Sequence, residues 1–133
     1  MVRDIFVNLP VKHLPKAIAF FTELGFTFNP QYTDDTATCM ILGEHIYAML
    51  LTEEKFQAFT PKALCNAKTH SEVLTCLGVA DRETVDTLVR KALAAGGRTL
   101  SEPKDYGFMY QHGFEDLDGH IWELVAMADE AVA

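Results

Sequence analysis

The chain contains one pattern twice: an apolar strand, an amphipathic helix that stops at glycine, and then further strand-like segments. The first copy opens at Val2–Gly25 and the second at Ser71–Gly97. Repetition within 133 residues is typical of two copies of one small unit folded against each other. The sequence therefore predicts an α+β fold of paired βαβββ modules in a single domain, 1–133. We place the first module at about 1–60, a linker at about 61–70 and the second module at about 71–127.

Each module is predicted from its own periodicity. In the first, Asp4–Val11 alternates as a strand, and Pro15 suits the first turn of a helix that ends at Gly25. In the second, Asp81 can cap a helix that ends at Gly96. The other predicted elements are strands at Phe26–Tyr32, Thr36–Leu42, Ile46–Thr52, Ser71–Val79, Thr99–Pro103, Tyr106–Phe114 and His120–Ala126, with a short helix near Glu54–Phe59.

Charge and composition exclude several classes of protein. The chain has 19 acidic and 11 basic side chains, a net charge of −8, and its basic residues are scattered, so we expect no nucleic-acid partner. No apolar run approaches the roughly 20 residues that a membrane-spanning helix needs. The first residues lead into a strand rather than a signal peptide. We expect a cytoplasmic protein with no membrane partner.

The cysteines favour neither a disulfide framework nor a thiolate zinc site. Cys39, Cys65 and Cys76 are odd in number and show no C-x-x-C spacing. Cys39 and Cys76 fall in apolar predicted strands, so we expect reduced, buried thiols there.

Two stretches of sequence, together with this order of elements, resemble the vicinal oxygen chelate superfamily. They are Ala19-Phe20-Phe21-x-x-Leu24-Gly25-Phe26 and the terminal Asp116-x-Asp118-Gly119-His120-x-x-Glu123. That superfamily includes glyoxalase I, extradiol dioxygenases, fosfomycin resistance proteins and bleomycin-binding proteins, and the chain looks most like its small glyoxalase/bleomycin-resistance members. The resemblance covers nearly the whole chain. It implies half-barrel sheets with helices on the outer face, and a symmetric homodimer that commonly completes the sites.

Metal-dependent members of that superfamily present a His or Glu ligand from the first and the last strand of each module. Matched by position, the resemblance assigns these places to Phe6, Leu50, Leu74 and Glu123. Glu123 is the one metal-ligand type among them, whereas catalytic metal sites normally use about three protein ligands. We therefore expect no metal ion and no other cofactor.

The residues at these places predict a mostly apolar pocket. Strand alternation adds Asn8 beside Phe6, and Tyr110 is an aromatic candidate, although alternate aromatics on a strand more often belong to the core. Such a lining suits a small aromatic or amphipathic molecule that one or two hydrogen bonds orient. We predict metal-independent binding of such a ligand by Glu123, Asn8, Phe6, Leu50, Leu74 and Tyr110, with no catalytic residue identified.

Two other functions remain open on the sequence. One is a lyase, isomerase or dioxygenase that uses an unrecognised metal site or Glu123 as a general base. The other is a structural or interaction module whose pocket has collapsed around Phe6, Leu50 and Leu74. Glu123 itself is as readily a carboxylate inherited with the motif as a ligand-binding group.

Overall fold

The structure, a computed structural model, describes residues 1–128, so the last five residues of the predicted domain lie outside the described part. The chain divides into two compact units, Met1–Leu64 and a second that begins at Cys65. Each contains a four-stranded sheet and its own helix. The α+β fold of paired βαβββ modules is thereby confirmed. No helix among the described residues is long and apolar enough to cross a bilayer.

The first unit runs from strand to helix to meander. Its elements are β1 (Ile5–Val11), α1 (Leu14–Glu23), β2 (Thr27–Asn29), a 3₁₀ turn (Pro30–Tyr32), β3 (Ala37–Gly43), β4 (Ile46–Thr52) and α2 (Glu53–Gln57). The strand order is β1-β4-β3-β2, with β1 and β4 parallel. Pro15 lies in the first turn of α1, as predicted, and the Nδ1 atom of His13 caps that helix by accepting from the Lys16 amide.

The second unit repeats this plan. Its elements are β5 (Leu74–Val79), α3 (Arg82–Ala94), β6 (Lys104–Asp105), β7 (Met109–Glu115) and β8 (Ile121–Met127), in the sheet order β5-β8-β7-β6. The predicted cap of α3 is confirmed, because the carboxylate of Asp81 accepts from the Thr84 amide at 2.8 Å. As in the first unit, the outer strand β5 runs parallel to the last strand β8.

Two predicted strands in the second unit are wrong in extent. Instead of a strand over Thr99–Pro103, only Arg98 forms a bridge, to Glu115, and β6 is two residues long. The predicted strand from Tyr106 begins instead at Met109. The cause is a turn in which Asp105 accepts from the Gly107 amide at 2.8 Å, since this turn interrupts the ladder.

Each sheet has one face covered by its own helix. In the first unit, α1 buries Leu14, Ala17, Phe20 and Phe21 and contacts β4. In the second, α3 contacts β7 and β8 and buries Val85, Val89 and Ala92. The strand residues that complete the second core are Phe114, Trp122, Leu124 and Ala126. The other face of the second sheet carries the more exposed side chains, including Leu74.

The turn between β7 and β8 is organised by a buried carboxylate. One oxygen of Asp116 accepts from the amides of Asp118 and His120, and the other accepts from the indole Nε1 of Trp122 at 2.9 Å. Burial raises the pKa of the Asp116 carboxyl, while the charge of His120 and these hydrogen bonds oppose that shift. The turn therefore fixes where β8 begins and which side of the sheet each of its residues faces.

A substitution at Gly113 tests how closely β7 packs against β8. A Cβ at Gly113 would lie 2.6 Å from the carbonyl oxygen of Trp122 and 3.3 Å from the Cα of Glu123. We expect Gly113→Ala to lower the free energy of unfolding by about 2 kcal/mol, measured by urea denaturation, because the strands must separate to admit the methyl group. Gly78→Ala on β5 is the matched control, since a Cβ there meets nothing within 4 Å. Equal losses in the two variants would contradict this account.

Candidate functional site

The open face of the second sheet carries one carboxylate near its centre. Glu123 on β8 pairs with Gly113 on β7 and with Cys76 on β5, so all three positions face the same side. The side-chain amide of Gln111 donates to Oε2 of Glu123 at 3.1 Å. Among the described residues, Gln111 is the hydrogen-bond donor to the Glu123 carboxylate. The Gln111 bond orients Glu123 and leaves its second oxygen available to a bound group.

A cavity of about 180 Å³ opens beside this pair. Its apolar wall includes Leu100, Phe114 and Ile121, and its polar wall includes Glu102, Lys104 and Glu123. Lys104 pairs with Gln111 across β6 and β7, which places both on the side of Glu123. The ring Nε2 of His112, which also borders the cavity, donates to the carbonyl oxygen of Ser101 at 3.1 Å. The cavity therefore combines an apolar surface with an acceptor, Glu123, and a cation, Lys104.

Cys76 lies next to Glu123 on this face. It is exposed, so the expectation of a buried thiol is correct for Cys39 and wrong for Cys76. The cause is the alternation of β5, which turns positions 74, 76 and 78 away from α3. Partial burial and, second, the negative charge of Glu123 raise the pKa of the Cys76 thiol. The group is therefore held in its protonated, weakly nucleophilic form.

Leu74 and Tyr110 lie on opposite faces of the second sheet. Leu74 pairs with Ile121 and shares the open face with Glu123, as predicted. Tyr110 is buried against α3, where its hydroxyl donates to Asp86 at 2.6 Å and the guanidinium of Arg82 lies 4.1 Å from its ring centre. Tyr110, which we predict to contact the ligand, therefore faces the helix rather than the side of Glu123, because Asp86 supplies a partner for its hydroxyl.

In the first sheet, Phe6 and Asn8 share one face and Leu50 lies on the other. The parallel register of β1 and β4 pairs Phe6 with Tyr47 and Leu9 with Leu50. The ring of Phe6 stacks on that of Tyr47 at 4.8 Å, and Asn8 is exposed beside Met49. Leu50 is fully buried on the helix side. The prediction that Leu50 lines a pocket together with Phe6 is therefore wrong, and Tyr47 and Met49 occupy the β4 positions on that face.

These residues do not fit a metal centre of the kind that the resemblance implies. The strand positions on the relevant faces carry Phe6 and Asn8, Tyr47 and Met49, Leu74 and Cys76, and lastly Glu123. Within residues 1–128, no three His, Cys, Asp or Glu side chains lie close enough together to hold a metal ion. A single carboxylate with a protonated thiol beside it falls short of the three protein ligands that catalytic sites use.

Sequence reasoning missed Gln111 and Lys104. The aromatic residue Tyr110 suggested that its own face of β7 contacts the ligand, and that face is the helix side. Phe114 indicates the correct face, because it lies on the same side as Tyr110 and pairs with the buried Trp122. Since Phe114 belongs to the core, residues of the other parity, Gln111 and Gly113, must face Glu123.

Comparison with known proteins gives a family match and a consistent set of folds. A family model described as the Glyoxalase/Bleomycin resistance protein/Dioxygenase superfamily matches residues 5–124. Among curated proteins, none matches the chain.

Among solved structures, the hypothetical protein SA1046 from S. aureus is 33% identical, with 95% of each chain covered and a TM-score of 0.79. A glyoxalase-related enzyme from Fulvimarina pelagi is 18% identical, with 94% of this chain and 88% of the other covered and a TM-score of 0.78. The fosfomycin resistance protein FosX from Listeria monocytogenes is 18% identical over the whole of both chains, with a TM-score of 0.70. The last two similarities concern the fold alone.

The proximity of Glu123 to Cys76 can be tested by the ionisation of the thiol. In a Cys65→Ser background, replacement of Glu123 by glutamine should lower the pKa of Cys76, because it removes a neighbouring negative charge that favours the protonated form. The measurement is the rate of alkylation by iodoacetamide as a function of pH, whose midpoint should move to lower pH. Glu83→Gln, on α3 at the other side of the sheet, should leave the midpoint unchanged. An alkylation midpoint that is the same in Glu123→Gln as in the parent protein would show that the two side chains are not neighbours.

Proposed function

We propose a binding function for this chain, which belongs to the Glyoxalase/Bleomycin resistance protein/Dioxygenase superfamily, as its match over residues 5–124 shows. In this proposal the chain binds a compact amphipathic organic molecule without a protein-held metal ion. The observation that carries the proposal is the cavity beside Glu123, in which Gln111 donates to one carboxylate oxygen and apolar residues form part of the lining. The open face of the second sheet is the binding surface in this proposal.

The size of the cavity limits the ligand. An apolar cavity of about 150 Å³ accommodates benzene. The volume beside Glu123, about 180 Å³, therefore suits a single six-membered ring, or a chain of similar bulk, with one or two polar substituents. Leu100 and Ile121 supply the apolar contact that such a ring requires.

The charge of the site favours a donor group on the ligand. An ionised carboxylate accepts hydrogen bonds and donates none, so the second oxygen of Glu123 is suited to an ammonium or hydroxyl group. Binding by burial and one charge-assisted hydrogen bond needs no metal-ligand set. The same oxygen is also the observation that favours the alternative function, a lyase or isomerase in which Glu123 acts as a general base.

Benzylamine is a suitable probe of this proposal, because it combines a single ring with a cationic donor. We expect saturable binding, measured by isothermal titration calorimetry, that weakens about tenfold in Glu123→Gln, since the variant loses the charge on the acceptor. Benzamide, which has a neutral carboxamide in place of the aminomethyl group, should bind both proteins alike. The matched control is Glu83→Gln on α3, which should bind benzylamine as the unmodified protein does.

Two results would overturn the proposed function. Benzylamine binding that is equal in Glu123→Gln and in the unmodified protein would remove Glu123 from the site. Turnover of a bound compound that is abolished in Glu123→Gln, with binding retained, would identify the enzyme function instead.

The absence of a metal-ligand set on these faces predicts the metal content of the protein. Protein purified without chelator and then dialysed against Zn²⁺, Ni²⁺ or Fe²⁺ should retain far less than one equivalent by elemental analysis, because Glu123 is the one carboxylate that the matched strand positions supply. Stoichiometric metal that disappears in Glu123→Ala would contradict metal-independent binding.

A further inference from the structure

A second cavity adjoins the one beside Glu123 and has the opposite charge character. Its volume is about 170 Å³, and Lys68, His70, Arg98 and Glu115 border it. Leu100 and Ile121 border both cavities, so the two are adjacent along the open face of the second sheet. Ile121 and Glu123 are two residues apart on one side of β8, which separates their Cα atoms by roughly 6.6 Å. A single compact ligand can therefore occupy both.

Arg98 is held in position at this cavity by Glu115. The backbones of the two residues exchange hydrogen bonds, with Arg98 N to Glu115 O at 3.1 Å and Glu115 N to Arg98 O at 2.7 Å. The Nε of Arg98 donates to the buried Glu115 carboxylate at 2.7 Å. Because this pairing uses only Nε, the two terminal nitrogens of the guanidinium remain available as a planar pair of donors.

The backbone of Lys68, which also borders this cavity, is fixed by a tight turn. The amide of Lys68 donates to the side chain of Asn66 at 3.1 Å, and the His70 amide donates to the Asn66 carbonyl at 2.8 Å. This turn lies directly on Gly119, where φ is +93° and a Cβ would meet the Lys68 nitrogen at 2.6 Å. Only glycine permits both that backbone conformation and that approach. The Lys68 side chain therefore starts from a fixed backbone position.

The charges at this cavity leave a cationic surplus. Lys68 and Arg98 contribute two positive charges, and Glu115, whose carboxylate is already paired with Arg98, contributes one negative charge. Asp116 borders a neighbouring cavity, but one of its oxygens accepts from amides of its own turn, the other accepts from the indole of Trp122, and the residue is buried. Counted over Lys68, Arg98 and Glu115, the charge at this cavity is therefore +1.

We propose that the cavity between Lys68 and Arg98 is an oxyanion subsite, which receives a carboxylate or phosphate group of the ligand whose other end meets Glu123. This inference rests on the proposed function, and it defines the ligand as a compact amphipathic molecule with a donor group at one end and an oxyanion at the other. The guanidinium supplies a bidentate contact to the oxyanion, and the ammonium group of Lys68 supplies a point charge.

Benzoate and phenyl phosphate test the subsite without the Glu123 end. Each is titrated into the full chain by calorimetry at low ionic strength. We expect saturable binding of at least one of them, weakened about tenfold in Lys68→Gln and weaker at high salt. The better probe identifies the oxyanion as a carboxylate or a phosphate. Lys91→Gln, an exposed lysine of α3, removes the same charge from the helix side and should leave binding unchanged.

A second variant protects the test against a folding defect. Arg98→Lys keeps the charge beside the buried Glu115 but removes the planar donor pair, so it should fold and still weaken binding of the oxyanion probe. Unchanged binding in both Lys68→Gln and Arg98→Lys would overturn the subsite, as would equal loss in Lys91→Gln.

A ligand with an ammonium group at one end and a carboxylate at the other tests whether one molecule spans both cavities. 4-(Aminomethyl)phenylacetate should bind more tightly than benzylamine, and its advantage should disappear in Lys68→Gln. If benzylamine depends on Glu123 but the added carboxylate contributes nothing, the subsite is wrong and the proposed function stands. If phenyl phosphate or benzoate depends on Lys68 while benzylamine shows no dependence on Glu123, the proposed function is wrong and the oxyanion subsite stands alone.

Discussion

The carboxyl group of Asp116 organises the end of the second unit. It accepts from two amides of its own turn and from the indole of Trp122, so it fixes both the reversal of the chain and the start of β8. A shift of one residue in β8 would exchange Glu123 for Trp122 on the open face, because side chains on a strand alternate. The same turn contains Gly119, on which the Lys68 turn rests. The buried side chain of Asp116 therefore sets the position of Glu123 on the open face and supports the backbone of Lys68.

Local chemistry made the order of elements predictable from the sequence. Pro15 favours a helix start through its fixed φ, and Asp81 does so through a bond to the Thr84 amide three positions on, so no knowledge of the tertiary structure is needed to place them. The strand predicted from Tyr106 was too long at its start. The turn at Asp105 competes with the strand pairing there, and both conformations suit the same residues.

The faces of the strands were less predictable, since they depend on register between segments far apart in the sequence. Leu50 is 41 positions from Leu9. Neither segment contains a local signal that Leu50 pairs with Leu9 rather than sharing a face with Phe6. Tyr110 shows a different limit: an aromatic ring with a hydroxyl suits either face, and its location follows from Asp86 on a separate helix. Glu123 was correctly placed on the same face as Leu74, whereas its partner Gln111 emerged only with the β7–β8 pairing.

The parallel pairing of the first and last strands also governs when each sheet can form as the chain leaves the ribosome. β1 has no neighbour until Ile46–Thr52 has been synthesised, and β5 has none until Ile121–Met127. Contacts between such distant segments form slowly, because the intervening chain must lose its freedom before any pairing compensates for it. During that interval Leu74–Val79 is an unpaired strand that other nascent chains can recruit, which is the usual route to aggregation. The first strand of each module is therefore exposed to mispairing until the last strand of that module has been synthesised.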